Sequence, residues 1–217
     1  MRQTWKRLTF LHWPCDPALV RPLLPKGLEL DTFDNAAWIG LVPFEIHNVP
    51  GMPHFPETNV RTYVVGHDGS RAVWFFSLDA ARLLAVIGAR VAYGLPYFWA
   101  GMRVTSESGS IRYSSRRKWP HAAKSASDIL VKPGDRFRPE ELGDLDHFVT
   151  ARFRLYSVVR GKLRYAQIEH PPWALARATV LELNQTLIES NGLNTPCGAP
   201  LVHYSEELDV RIGFPAA

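Results

Sequence analysis

At 217 residues the chain is long enough for one good hydrophobic core, and nothing in it demands two, so residues 1–217 are read as a single domain. A hydrophobic content of 46% with 21% charged residues is that of an ordinary folded protein, and no apolar run reaches the ~18 residues of a membrane span, so no membrane partner is expected. The net charge of +4 is small and scattered; its densest cluster, Arg112, Arg116, Arg117 and Lys118, reads as a solvated strand end, and no nucleic-acid partner is expected.

The N-terminal third reads as short strands and turns. A first strand closes at His12-Trp13-Pro14, and its apolar stretch is too short and too soon broken by Pro14 to be a secretory leader. With Cys15 and Cys197 far apart and in no C-x-x-C pattern, the expectation is a cytoplasmic protein with two free thiols. Pro22, Pro25 and Gly27 mark a short structured entry, and strands over 29–33 and 37–42 flank the turn Asp34-Asn35.

Residues 55–64 carry the strongest functional signal. As a strand they place Glu57, Asn59, Arg61 and Tyr63 on one face and Thr58, Val60, Thr62 and Val64 on the other. An acid, an amide, a guanidinium and a phenol in a row form a full set of donors and acceptors for a polar small molecule. Asp68-Gly69 suits a two-residue hairpin loop, which sets Tyr63 opposite Trp74, Arg61 opposite Phe76 and Asn59 opposite Leu78. Both faces of this hairpin are then half apolar, as in a central hairpin. The polar row needs partners there, either among its own members or in a ligand, because an unpaired buried charge costs several kcal/mol.

A helix is expected over 80–93, capped by Asp79 and stopped by Gly94 and Pro96. Strands follow over 97–105 and 110–116, then a poorly patterned stretch over 118–143 whose role as a lid is left open. A short helix over 145–151 leads into a hairpin of 153–159 and 162–169 turning at Arg160-Gly161. A helix covers part of 181–190, and strands over 201–204 and 208–212 close the chain. Hairpin strands with a few segregated helices mean an α+β fold, with an antiparallel sheet closing on itself.

His12-Trp13-Pro14, Leu41-Val42-Pro43-Phe44, Phe55-Pro56-Glu57 with Asn59-Val60-Arg61-Thr62-Tyr63-Val64, Phe76-Ser77-Leu78-Asp79, Gly94-Leu95-Pro96-Tyr97-Phe98, His170 with Trp173, and His203-Tyr204-Ser205 with Leu208-Asp209-Val210 resemble the bacterial YqjF-like family. That family, of unknown function, is similar in fold to acetoacetate decarboxylase. The resemblance covers nearly the whole chain. It implies a cone-shaped antiparallel β-barrel with flanking helices around a small-molecule cavity, and it leaves a homo-oligomer open. It also implies that Arg90 faces the cavity and that Tyr97 stands near it. In acetoacetate decarboxylases the segment similar to 90–98 carries two lysines, one of which forms a Schiff base; here both positions hold aromatics, Tyr97 and Phe98. Tyrosine cannot form an imine, and none of Lys6, Lys26, Lys118, Lys124, Lys132 and Lys162 lies in an apolar run that would depress its pKa, so Schiff-base decarboxylation is not expected.

Other chemistries find little support. The eight histidines show neither H-x-H nor H-E-x-x-H spacing, so no metal is expected, and His12, His170 and His203 read as structural hydrogen-bonders. Ser77 and Ser205 lie outside G-x-S-x-G, and without a glycine-rich phosphate loop no cofactor is expected. Three readings remain. The first is a binding protein for a small anionic or carbonyl-bearing organic ligand, held by Glu57, Asn59, Arg61 and Tyr63 with Trp74, Phe76, Arg90 and Tyr97 nearby. The second is a lysine-independent lyase, hydratase or isomerase with Glu57 as base and Arg61 as anchor. The third is a buried polar network that serves the fold alone, in which Glu57 pairs with Arg61; Arg152 and Tyr156 are likewise read as fixing local structure.

Overall fold

The computed structural model describes residues 1–120 and 125–216. Among them twelve strands form one sheet: β1 (Arg2–Cys15), β2 (Leu28–Leu30), β3 (Ala37–His47), β4 (Phe55–Gly66), β5 (Arg71–Ala80), β6 (Tyr97–Glu107), β7 (Ser110–Trp119), β8 (Ala126–Arg136), β9 (Arg154–Val159), β10 (Lys162–Glu169), β11 (Ala176–Gln185) and β12 (Leu201–Ile212). Their order is β10-β9-β5-β6-β7-β8-β11-β12-β1-β3-β4-β2, and further pairings of β4 with β5 and of β10 with β12 curl the sheet back on itself. The expected α+β fold is present, as a sheet curled into a partial ring with three helices, α1 (Pro17–Val20), α2 (Leu83–Tyr93) and α3 (Asp144–Thr150). It is not wholly antiparallel, because β5 pairs in parallel with both β6 and β9. The chain reaches β6 from β5 through α2, the crossover that a parallel neighbour requires.

β3 is buried along all but its last residue, and β4 along all but Pro56 and Val65. Apolar side chains on both faces make the β3–β4–β5 segment central, as the sequence implies. The hairpin register differs from the sequence reading. Gly66 N–H donates to Ser70 O at 3.0 Å and Gly69, at φ 76°, donates to Gly66 O at 2.9 Å, so the loop has three residues rather than two. Asp68 holds that longer loop by accepting from Ser70 N and Oγ at 3.1 and 2.6 Å. Tyr63 therefore faces Val73 and Arg61 faces Phe75; a bulge then absorbs Phe76, and Asn59 faces Leu78 as expected. The extra loop residue and the bulged residue offset one another.

Other departures have similar tertiary causes. Asp79 is not a helix cap: it lies in β5, fully buried, and accepts from Arg117 Nη2 at 2.7 Å and Nε at 3.1 Å. Arg117 is accordingly no solvated strand end, since it is buried in β7 with its guanidinium 3.6 Å from the Phe98 ring centroid. Helix α2 begins three residues later than read and ends, as read, at Gly94 with φ 63°. It buries only Val86 and leaves Leu84 and Val91 exposed. Residues 181–185 are strand, because β11 pairs along the open edge of β8 and the pairing overrides a spacing that also suits a helix, and a short 3-10 turn over Glu189–Asn191 follows. Half of 118–143 is likewise the end of β7 and all of β8; residues 121–124 lie outside the described ones. β2 pairs with β4 rather than β3, and the two C-terminal strands are one, β12.

Candidate binding cavity

Inside the curled sheet lies a cavity of about 60 Å³, bordered by Glu57, Asn59 and Arg61 from β4, Val73, Phe75 and Leu78 from β5, Tyr97 from β6, and Arg152 beyond α3. The β5 bulge shapes this wall. By inserting one residue it lets Phe75 and Leu78 share the inner face, while Asp79 turns away toward Arg117. Trp74 and Phe76 therefore do not line the cavity; they pack with Leu30, in the cluster built on Leu24 and Leu28. Arg90 does not either: it is exposed on α2 and donates to Tyr97 O at 2.6 Å.

Glu57 and Arg61 both reach the cavity but form no ion pair. The Glu57 carboxyl, 3% exposed, accepts from the Tyr97 hydroxyl at 2.8 Å. Burial pushes its pKa up to about 8; the Tyr97 hydrogen bond opposes the rise and the Asp79 carboxylate adds to it. At neutral pH Glu57 is thus mostly a neutral acid. Burial and the Glu57 carboxyl together hold the Tyr97 phenol well above its ordinary pKa, so it stays a donor.

Arg61 turns the other way. Its Nη2 donates to Val149 O at 3.0 Å and to the Tyr63 hydroxyl at 3.3 Å, and its guanidinium lies over the Phe10 ring. Tyr63 sits behind the cavity wall rather than on it. Its hydroxyl donates to Val149 O at 2.6 Å and lies 2.6 Å from His12 Nε2. Burial, with Arg61 and His203 nearby, keeps His12 well below its usual pKa, hence neutral. Gly40, between His12 on β1 and Arg61 on β4, permits this crowding: a Cβ there would come 2.9 Å from His12 Nε2 and 3.2 Å from Arg61 Cγ.

Arg152 is the cavity residue that the sequence reading assigns only to local structure. Its Nε donates to Phe148 O at 2.8 Å, its Nη1 donates to Asp31 Oδ2 at 2.7 Å, and it lies over the Tyr63 and Phe148 rings. The last carbonyls of α3 are thus taken by Arg152 at Phe148, by Arg61 and Tyr63 at Val149, and by Trp173 Nε1 at Thr150, 3.0 Å away. Such terminal carbonyls have no partner within their helix, and they carry the negative end of its dipole, so guanidinium groups suit them. The only sequence clue to Arg152 was an arginine directly after a short helix.

Four buried polar atoms on residues that border the cavity have no partner among the described residues: Asn59 Oδ1, Arg61 Nε, Arg152 Nη2 and Trp5 Nε1. Each costs roughly 1–3 kcal/mol if left unpaired. The wall therefore offers donors, one amide and a neutral acid to whatever fills it. Among the described residues no lysine borders the cavity, and no group of three or more His, Cys, Asp or Glu is arranged to hold a metal ion. Among the described residues no helix is long and apolar enough to cross a membrane.

The family model described as DUF2071, uncharacterized conserved protein, matches residues 2–209. The chain is similar to the uncharacterized protein YqjF of Bacillus subtilis, at 40% identity over 218 residues, covering 97% of this chain and 89% of that protein. In fold it resembles the acetoacetate decarboxylase of Legionella pneumophila, with a TM-score of 0.66 at 15% identity, covering 100% of this chain and 87% of that one. It also resembles the enduracididine biosynthesis enzyme MppR, complexed with the condensation product of pyruvate and imidazole 4-carboxaldehyde. There the TM-score is 0.70 at 13% identity, covering 99% of this chain and 88% of that one.

Proposed function

The chain belongs to the DUF2071 family of uncharacterized conserved proteins, and for this member we propose that the cavity binds a small organic acid, of the size and charge of a short 2-oxo acid. The observation that carries this reading is the pair of buried guanidinium groups, Arg61 and Arg152, each bordering the same cavity with an N–H that has no partner among the described residues. A carboxylate accepts such donors better than any neutral group does. Asn59 and the neutral Glu57 carboxyl then offer hydrogen bonds to the rest of the ligand. A cavity of about 60 Å³ suits a molecule of a few heavy atoms, since ~10–15 Å³ holds one water. That MppR is described in complex with pyruvate fits a ligand of this class on a related fold.

Isothermal titration with pyruvate and acetate tests the reading. Saturable binding that weakens at least about tenfold in Arg61→Met and in Asn59→Leu supports it. Unchanged affinity in both variants, or no heat with the folded wild type, refutes it and returns Arg61 to a role in the fold alone.

A second reading rests on Glu57. A carboxyl whose pKa is about 8, held by a phenol, can both give and take a proton near neutral pH. Proton abstraction beside the carbonyl of a bound acid follows without an amine, in line with an isomerase, hydratase or lyase. Exchange of the methyl protons of pyruvate in deuterium oxide, followed by proton NMR, is the assay. Exchange that rises with pH toward 8 and vanishes in Glu57→Gln supports catalysis; binding without exchange leaves a binding protein.

A further inference from the structure

The cavity has a neighbour. Across Thr150 and Trp173, which border both spaces, lies an outer pocket of about 610 Å³, some ten times the inner volume. Its walls include Phe137, Leu142, Phe153, Pro172 and Leu175. Trp173 is the divider: its Nε1 is tied to Thr150 O at 3.0 Å, its ring stacks on Trp5 at 6.1 Å on the inner side, and it meets His170 at 5.0 Å. His170 borders the inner cavity and stacks at 4.7 Å on Phe153, which borders the outer pocket. Ring contacts from Trp5 through Trp173 and His170 to Phe153 therefore line the wall that the two spaces share. The inner cavity has room for an acid head and little else, whereas the outer pocket is of the size that takes a ring-bearing group.

We propose that the outer pocket receives the aromatic tail of the same ligand whose acid head occupies the inner cavity, with the tail lying against Trp173 and Phe153. This rests on the organic-acid reading above and names the substrate class within it: an aryl-substituted short acid rather than a bare one. Phe137, Phe153 and Trp173 supply ring faces and edges for an offset stack, and Leu142 and Leu175 supply apolar floor. Arg136, exposed beside the same pocket, places a positive charge at its approach.

Calorimetric titration of the full chain with pyruvate and with phenylpyruvate separates the two ideas, because the probes share a head and differ in the tail. The wild type should bind phenylpyruvate at least about tenfold more tightly than pyruvate. Phe153→Ser, at a position already 42% exposed, and Leu142→Ser should each cut that ratio severalfold while leaving the Kd for pyruvate unchanged. Equal affinities for the two probes, or variants that weaken both alike or neither, overturn the tail site while the acid site stands. Failure of both probes to bind the folded protein overturns both.

Discussion

Replacing Glu57 by glutamine should remove a loss of stability with rising pH that the wild-type chain carries. Glutamine has the shape of the protonated acid, and its carbonyl can still accept from the Tyr97 hydroxyl. The wild-type carboxyl is raised from 4.5 to about 8 by burial, so between those values the folded chain holds a proton that the unfolded chain has released. The stabilisation is complete below pH 4.5 and is lost as pH rises through 8, at about 1.4 kcal/mol per pH unit. From pH 5 to 7.5 the wild type therefore loses about 3 kcal/mol relative to Glu57→Gln, roughly 6–12 °C in Tm for a chain of this size. Urea unfolding followed by the fluorescence of the seven tryptophans reads this directly. Taking the difference between the two proteins cancels His12 and His203, whose pKa values are also shifted but occur in both. A difference that is the same at pH 5 and pH 7.5 would refute the placement of Glu57 as a neutral buried acid.

Tyr97→Phe removes the hydrogen bond that favours the Glu57 carboxylate, so the pH at which stability, or any pyruvate exchange, turns over should move upward from about 8; a downward move would contradict the geometry. Asp79→Ala leaves the Arg117 guanidinium buried without its partner and should cost about 3–5 kcal/mol in urea unfolding, and much of that should return in Asp79→Ala with Arg117→Met. Trp74→Leu should leave the Kd for pyruvate unchanged, while Phe75→Ala, on the cavity wall, should alter it; the reverse outcome would restore the two-residue loop and its register.

The residues that could be read ahead were those whose environment is set locally. The alternation over 55–64 gives the inner face of β4, and Arg160-Gly161, with φ 50° and 76°, turns β9 into β10 as the sequence implies. The chain also announces a central hairpin through its two half-apolar faces. What stayed hidden depends on partners far along the chain. Asp79 is a good helix cap until Arg117, 38 residues on, claims it. The bulge at Phe76 leaves no mark in a run of apolar residues, yet it decides which of Phe75 and Phe76 meets the cavity. Arg152 looks like a helix-end cation until Asp31, 121 residues away, is brought beside it.

The carbonyls at the end of α3 bear on the order in which the protein assembles. Arg61 and Tyr63 reach Val149 across 88 and 86 residues, and Arg152 reaches Asp31 across 121. Contacts of such sequence separation form slowly, because chain entropy is lost before they return anything. A ribosome that has released the β3–β4–β5 segment has therefore delivered Glu57, Asn59 and Arg61 in place on their strand, with the guanidinium still unanchored. The polar wall closes only when α3 arrives and Trp173 docks behind it, which makes the cavity one of the last parts of the nascent chain to form.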